Sequence, residues 1–250
     1  MTPARFATLA AAYPRLRLAL VGDFCLDRYL EIDPARAETS IETGLTVHNV
    51  VRVRSQPGAA GTILNNLVAL GIGEVHVVGF CGDDGEGYEL RRALAGLRGV
   101  DAAPFVTSAE RRTFTYCKPL LRHAGRPPEE LNRLDSKNWS PSPAALEDRL
   151  IASLRKLAPA VDGVIVMDQV DVPDTGVVTA RVRAVLGELA AAFPTKLFLA
   201  DSRRGLADWP ALGFKMNAAE LAALTGRAAA TVDAAQATAA GLAAQTRRPV

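Results

Sequence analysis

Three cysteines in 250 residues, 6% aromatics and no long apolar run describe this chain first by what it does without. Cys25, Cys81 and Cys117 are far apart and odd in number, so they form no zinc pattern. They read as free thiols of a cytoplasmic protein, with Cys25 and Cys81 as small core residues beside apolar strands. No apolar stretch approaches the roughly 20 residues of a membrane span. Met1–Arg17 has no hydrophobic core of the signal-peptide kind. An excess of one charge is missing as well. The 29 basic and 27 acidic side chains are dispersed, which excludes the basic stripe of a nucleic-acid binder. Two phosphate-binding fingerprints are absent. No G-x-x-x-x-G-K-[ST] occurs, which removes the P-loop kinases. The segment GDDGEG sets Gly82, Gly85 and Gly87 at the wrong spacing for dinucleotide binding, and its acids would repel a pyrophosphate.

What the chain has is apolar material, 49% of its residues, enough for the core of one large α/β domain. Arg17–Val21 (RLALV), Val75–Phe80 (VHVVGF), Gly163–Met167 (GVIVM) and Lys196–Ala200 (KLFLA) read as buried strands. Segments of helical spacing separate them. Leu90, Leu94 and Leu97 share one face. Leu146, Leu150, Leu154 and Leu157 share another, after a Ser142 cap with Pro143 at the first helical position. Asp174 and Thr175 are caps for a helix whose apolar face is Val178, Val182, Val185 and Leu189. Ala218–Leu224 and Val232–Gln245 are Ala-rich helices, and Phe6, Leu9 and Tyr13 predict an amphipathic helix before the first strand. Strands alternating with helices predict a mostly parallel central sheet with helices on both faces.

Two β-rich regions break that rhythm, at about residues 29–54 and 111–121. Their polar/apolar alternation predicts a small antiparallel sheet, a lid that closes over substrate or pairs with its twin in a homodimer. With no repeat or linker, residues 1–250 read as a single domain carrying this lid. Arg247–Val250 looks like the opening of another strand, so the fold is expected to continue past Val250.

Four features carry chemistry. Asp27 follows the first strand, in GDFCLDRY, where a carboxylate can accept hydrogen bonds from sugar hydroxyls. The tetrad Gly58-Ala59-Ala60-Gly61 runs straight into a helix-forming segment holding Thr62 and Asn66. Small residues let a ligand approach the backbone, and the helix start offers unpaired N–H groups. Arg133 and Asp135 lie on a lid-like strand, as an ion pair or as a phosphate contact. Asn217 and Glu220 form a capping box, a magnesium and nucleotide site, or both. Asp201 and Arg203 end the preceding strand, where phosphates could dock.

In this order the segments resemble the ribokinase-like (pfkB) sugar kinases, and within them the kinases of D-glycero-D-manno-heptose 7-phosphate. Gly22–Tyr29 resembles the family's GD-x-x-LDRY, and Pro57–Gly71 its PGGAANVAxNIAALG. Arg133 and Asp135 match R-x-D, Asp201–Arg203 match D-P-K, and Asn217 with Glu220 match N-x-x-E. The resemblance implies an ATP- and Mg²⁺-dependent transfer of the γ-phosphate to a small-molecule sugar or sugar phosphate. It implies Asp27, Gly58, Ala59, Ala60, Gly61, Thr62, Asn66 and Arg133 on the sugar, with Lys118 and Arg133 as candidates for a substrate phosphate. Asp201, Arg203, Asn217 and Glu220 would serve the nucleotide, Glu220 also the metal. The chain departs from the pattern at Ala59, where the family has Gly, at Thr62, where it has Asn, and at Met167–Asp171, which lacks the Gly and Lys of SDYGKG. The family's G-A-G-D, whose Asp is the catalytic base, does not occur in residues 1–250, so the base is expected beyond Val250. A non-catalytic sugar-binding or regulatory protein on the same fold is the alternative.

Overall fold

The computed structural model describes all 250 residues. Six parallel strands form the central sheet, in the spatial order Gly213–Phe214, Leu197–Ser202, Gly163–Asp168, Arg17–Gly22, Glu74–Val78, Val100–Asp101. The strand Arg17–Gly22 sits between Gly163–Asp168 and Glu74–Val78, pairing Leu20 with Ile165 on one side and with Val77 on the other. Strands buried on both faces need apolar residues at consecutive positions, and Ala19, Leu20 and Val21 are all fully buried.

Seven helices accompany the strands: α1 (Pro3–Ala10), α2 (Ala60–Ala69), α3 (Gly85–Ala95), α4 (Ala144–Leu157), α5 (Ala180–Ala192), α6 (Ala218–Thr225) and α7 (Val232–Thr246). Alternate strand residues feed two cores. Ala19, Val21, Val164 and Val166 pack with Leu150 and Leu154 of α4 and Val182 and Leu186 of α5. Leu20, Val75, Val77 and Met167 pack with Leu64 of α2 and Leu90 and Leu94 of α3. Each such leucine contributes roughly 1.5–3 kcal/mol of burial, so both helical layers are bound to the sheet as predicted. The amphipathic α1 forms but packs differently. It buries no residue, and Phe6 stays half exposed.

Capping sets the helix starts. Asp84 accepts from Gly87 N–H at 2.7 Å and turns GDDGEG into the N-terminus of α3. Thr179 caps α5, while Asp174 accepts from Ala180 N–H at 2.7 Å. Thr175 instead donates to the Val172 carbonyl. Ser142 does not cap α4 either. Pro143 takes the cap position, and the Ser142 hydroxyl donates to the Gly176 carbonyl at 2.7 Å, tying the loop before α4 to the loop before α5.

The lid is a second sheet in the order Glu129–Glu130, Thr115–Leu121, Phe24–Ile32, Val50–Ala59, with Leu134–Ser136 also paired to Thr115–Leu121. Its central strand begins at Phe24, five residues before the expected boundary, so Asp27 lies within a strand and not in a loop. The sheet is mixed rather than antiparallel. Phe24–Ile32 runs antiparallel to Val50–Ala59 but parallel to Thr115–Leu121, which the chain reaches only after α2, strand Glu74–Val78 and α3. No helix of the structure is long and apolar enough to cross a membrane.

Candidate functional site

Strand Val50–Ala59 passes into α2 without an intervening loop. The whole change of direction falls on Ala59, which adopts φ 53°, ψ −115°. That region is natural to glycine and strained for a residue with a Cβ. The neighbouring glycine is required for a different reason. A Cβ on Gly58 would collide with the Asp27 carboxylate and stand 2.8 Å from Cys25 Sγ. A Cβ on Gly61 would collide with Pro57. The small-residue turn and Asp27 therefore lie against each other.

Asp27 accepts from Lys118 Nζ at 2.9 Å, and the same ammonium reaches the Tyr29 hydroxyl at 3.5 Å. Burial works against the charged lysine, but the Asp27 bond and charge outweigh it and raise the Lys118 pKa. The other cations on this face of the lid also carry acids of their own. Arg54 holds Glu31 at 2.6 Å, Arg133 holds Asp135 at 2.9 Å, and Lys137 holds Asp171 at 2.6 Å. Arg133 and Lys137 stand 4.9 and 5.9 Å from the centre of the Tyr116 ring. Lys137 follows a lid strand and Asp171 follows a central strand, so their pair joins lid to body. Both line a narrow cleft with Cys25, Tyr116, Trp139 and Gln169.

Two buried carboxylates fix the floor of that cleft. Asp23 accepts from Gln169 N–H at 2.8 Å and Val177 N–H at 2.7 Å. Burial, reinforced by the charge of Asp168, pushes its pKa up to about 6, against the pull of the backbone bonds. Asp168 accepts from the Ser202 hydroxyl at 2.7 Å and from Arg204 at 3.0 Å. Burial raises its pKa as well, with Ser202 and Arg204 opposing.

At the far end, Ser202–Ala207, Met216, Glu220 and Leu224 line a second, open hollow of about 330 Å³. Apolar walls with two arginines suit a nucleotide base and its phosphates. Asn217 and Glu220 form the full capping box, with bonds of 2.9 and 2.7 Å. One Glu220 oxygen is thereby occupied, and no group of three His, Cys, Asp or Glu side chains is arranged for a metal. This donor set fits a magnesium ion held by one carboxylate, water and phosphates, the usual manner of that ion. Asp201 pairs with Lys215 at 2.7 Å, and Arg203 donates to the Gln169 side chain at 3.2 Å.

The structure thus gathers Asp27, Gly58, Ala59, Ala60 and Gly61 at one end, and Arg203 with Glu220 at the other. Arg133 joins the first group through Tyr116, which pairs with Asp27 across the strands. Thr62 and Asn66 are not tied to the turn. They are one helical turn apart on the exposed stripe of α2, because Ala60, Gly61 and Leu64 take the buried one. Asn65, not Asn66, donates to the Pro57 carbonyl, at 3.4 Å. Gln169, Tyr116 and Lys137 escaped the sequence reading. Gln169 falls in the segment that departs from the family pattern, and the other two have no motif of their own.

A parallel six-stranded body with a β-lid over the strand ends is the architecture of the ribokinase-like proteins. The chain superposes on phosphofructokinase-2 from Escherichia coli with a TM-score of 0.62 at 14% identity, over 93% of this chain and 70% of that one. For Arabidopsis thaliana ribokinase the TM-score is 0.57 at 14% identity, and for a carbohydrate kinase from Agrobacterium tumefaciens 0.59 at 20%. In sequence it is similar to proteins named Bifunctional protein HldE. It is 30% identical to that of Hyphomonas neptunium over 216 residues, which is 86% of this chain and 42% of that protein. It is 32% identical to that of Pelobacter propionicus over 181 residues, 71% of this chain and 35% of that protein. The chain thus spans less than half the length of the HldE proteins it matches. No protein-family model matches it. Fold and sequence together place the chain in the ribokinase-like (PfkB) carbohydrate kinase family, near the HldE proteins.

Proposed function

We propose that this chain is the substrate-binding body of an ATP-dependent carbohydrate kinase acting in the cytoplasm, with a heptose 7-phosphate as the sugar. One observation supports it above the others: Asp27 and the Gly58–Gly61 turn lie against each other where the paired lid strands enter α2. A carboxylate beside a small-residue turn at a helix start is the equipment for orienting sugar hydroxyls. Asp27 accepts from hydroxyls, and Lys118 orients it through the bond it donates. Arg133 and Lys137 offer charge to a sugar phosphate once it displaces Asp135 and Asp171. Arg203 and Glu220 hold the phosphate end of the nucleotide. ATP supplies the γ-phosphoryl group and Mg²⁺ neutralises its charge, so the protein's task is mainly alignment. The exposed Val50, Val51 and Val53 of the lid's edge strand support a homodimer formed through the lid.

The test is phosphate transfer from ATP–Mg²⁺ to a panel of sugars and sugar phosphates, with the full-length gene product. Turnover strongest on a heptose 7-phosphate is expected. Asp27→Asn should cut kcat/KM by at least about 100-fold, the order of a lost charged hydrogen bond in a site. A second reading, sugar binding without transfer, is favoured by Ala59 and Thr62, which stand where the family pattern has Gly and Asn. Sugar binding by calorimetry with no turnover would select it. Absence of both would sink the two together.

A further inference from the structure

One side chain touches both ends of the site. Gln169 follows Asp168, the last residue of strand Gly163–Asp168, and Arg203 follows Ser202, the last residue of the adjacent strand. Asp168 and Ser202 are register partners. Their buried side-chain bond, with Arg204 as third member, locks the two strand ends together. Arg203 N–H also donates to the Asp168 carbonyl at 2.9 Å. The next residues along are thereby presented side by side. Gln169 is anchored by its own N–H on Asp23, its side chain lines the cleft with Tyr116 and Cys25, and its amide oxygen accepts from Arg203 Nε. Arg203 in turn lines the nucleotide-side hollow.

We infer that Gln169 is a positioning residue for phosphoryl transfer, holding the Arg203 guanidinium at the boundary between the sugar cleft and the nucleotide hollow. The inference rests on the kinase reading above. An arginine on a rotatable stem loses several rotamers when it is fixed. An acceptor built on a strand end meets that cost before the substrates arrive.

The experiment compares wild type, Gln169→Leu, Gln169→Glu, Arg203→Ala and the Gln169→Leu/Arg203→Ala double variant of the full-length protein. Readouts are kcat, the two KM values and calorimetric binding of a non-hydrolysable ATP analogue with Mg²⁺. Gln169→Leu should lower kcat about tenfold, the equivalent of roughly 1.4 kcal/mol, with the sugar KM within about twofold of wild type. Gln169→Glu keeps an acceptor and should restore most of the loss. The double variant should be no worse than Arg203→Ala alone, since the glutamine acts through the arginine. Unchanged kcat in Gln169→Leu, an equally impaired Gln169→Glu, or additive losses in the double variant would each overturn the inference. If wild type binds the analogue but transfers no phosphate, the kinase reading fails separately. Weaker analogue binding by Gln169→Leu then still supports the positioning role, and unchanged binding overturns it.

Discussion

Ala59 makes the fold's most strained turn a direct stability experiment. Its φ of 53° and ψ of −115° let a ten-residue strand enter a helix with no loop between them. A residue with a Cβ held in such a region costs on the order of 1–3 kcal/mol. Ala59→Gly removes that strain. Two terms oppose the gain. Glycine loses more backbone freedom on folding, about 0.4–1 kcal/mol, and the Ala59 methyl, partly buried against the core, forfeits a fraction of the roughly 0.8 kcal/mol of a buried CH₂. The balance is a net stabilisation of about 1 kcal/mol. In urea the midpoint should rise with an unchanged m-value, and the melting temperature should rise by roughly 2–4 °C for a chain of this size. Ala60→Gly is the control. Ala60 is fully buried and already inside α2, so glycine there should destabilise by about 0.5–1 kcal/mol. The strain argument is wrong if Ala59→Gly lowers the midpoint, or if both variants shift it the same way.

Two further tests probe the cleft. Asp23 has a folded pKa near 6, raised above its unfolded value by burial, so the native state binds the extra proton. Its contribution is complete below about pH 4 and is lost as pH rises through 6, by up to roughly 3 kcal/mol; Asp168 shifts in the same sense. Glu31, Asp84 and Asp101 shift the other way and matter only in more acid solution. Stability should therefore fall between about pH 4 and 6, and Asp23→Asn should flatten that slope; an equally steep fall in the variant would refute the assignment. At the cleft mouth, Asp171→Asn frees Lys137 and breaks a lid-to-body ion pair. An exposed pair is worth roughly 0.2–1 kcal/mol, so KM for a phosphorylated sugar should fall up to about fivefold at low salt, with little change for its unphosphorylated form. Parallel changes in the two substrates would exclude Lys137 as a phosphate contact.

The parallel body was legible because its signal is local. RLALV and GVIVM are apolar at consecutive positions, and only a strand covered on both faces needs that. The turn was legible because sterics write it into composition: Gly58 and Gly61 have no room for a Cβ. The helix starts read less well. Ser142 has cap chemistry, but a buried carbonyl at Gly176 competes for its hydroxyl, and that carbonyl is 34 residues away. The same limit applies to the cleft. Lys118 meets Asp27 across 91 residues, and Lys137 meets Asp171 across 34, joined only by strand pairing and lid position. Gln169 is the extreme case. A polar residue after a strand is unremarkable as a letter, and acquires a role only when the register of Asp168 with Ser202 sets Arg203 beside it. Residues that act by pairing two loops are therefore hidden from a linear pattern. Such residues are the ones whose replacement should alter catalysis while leaving the fold intact.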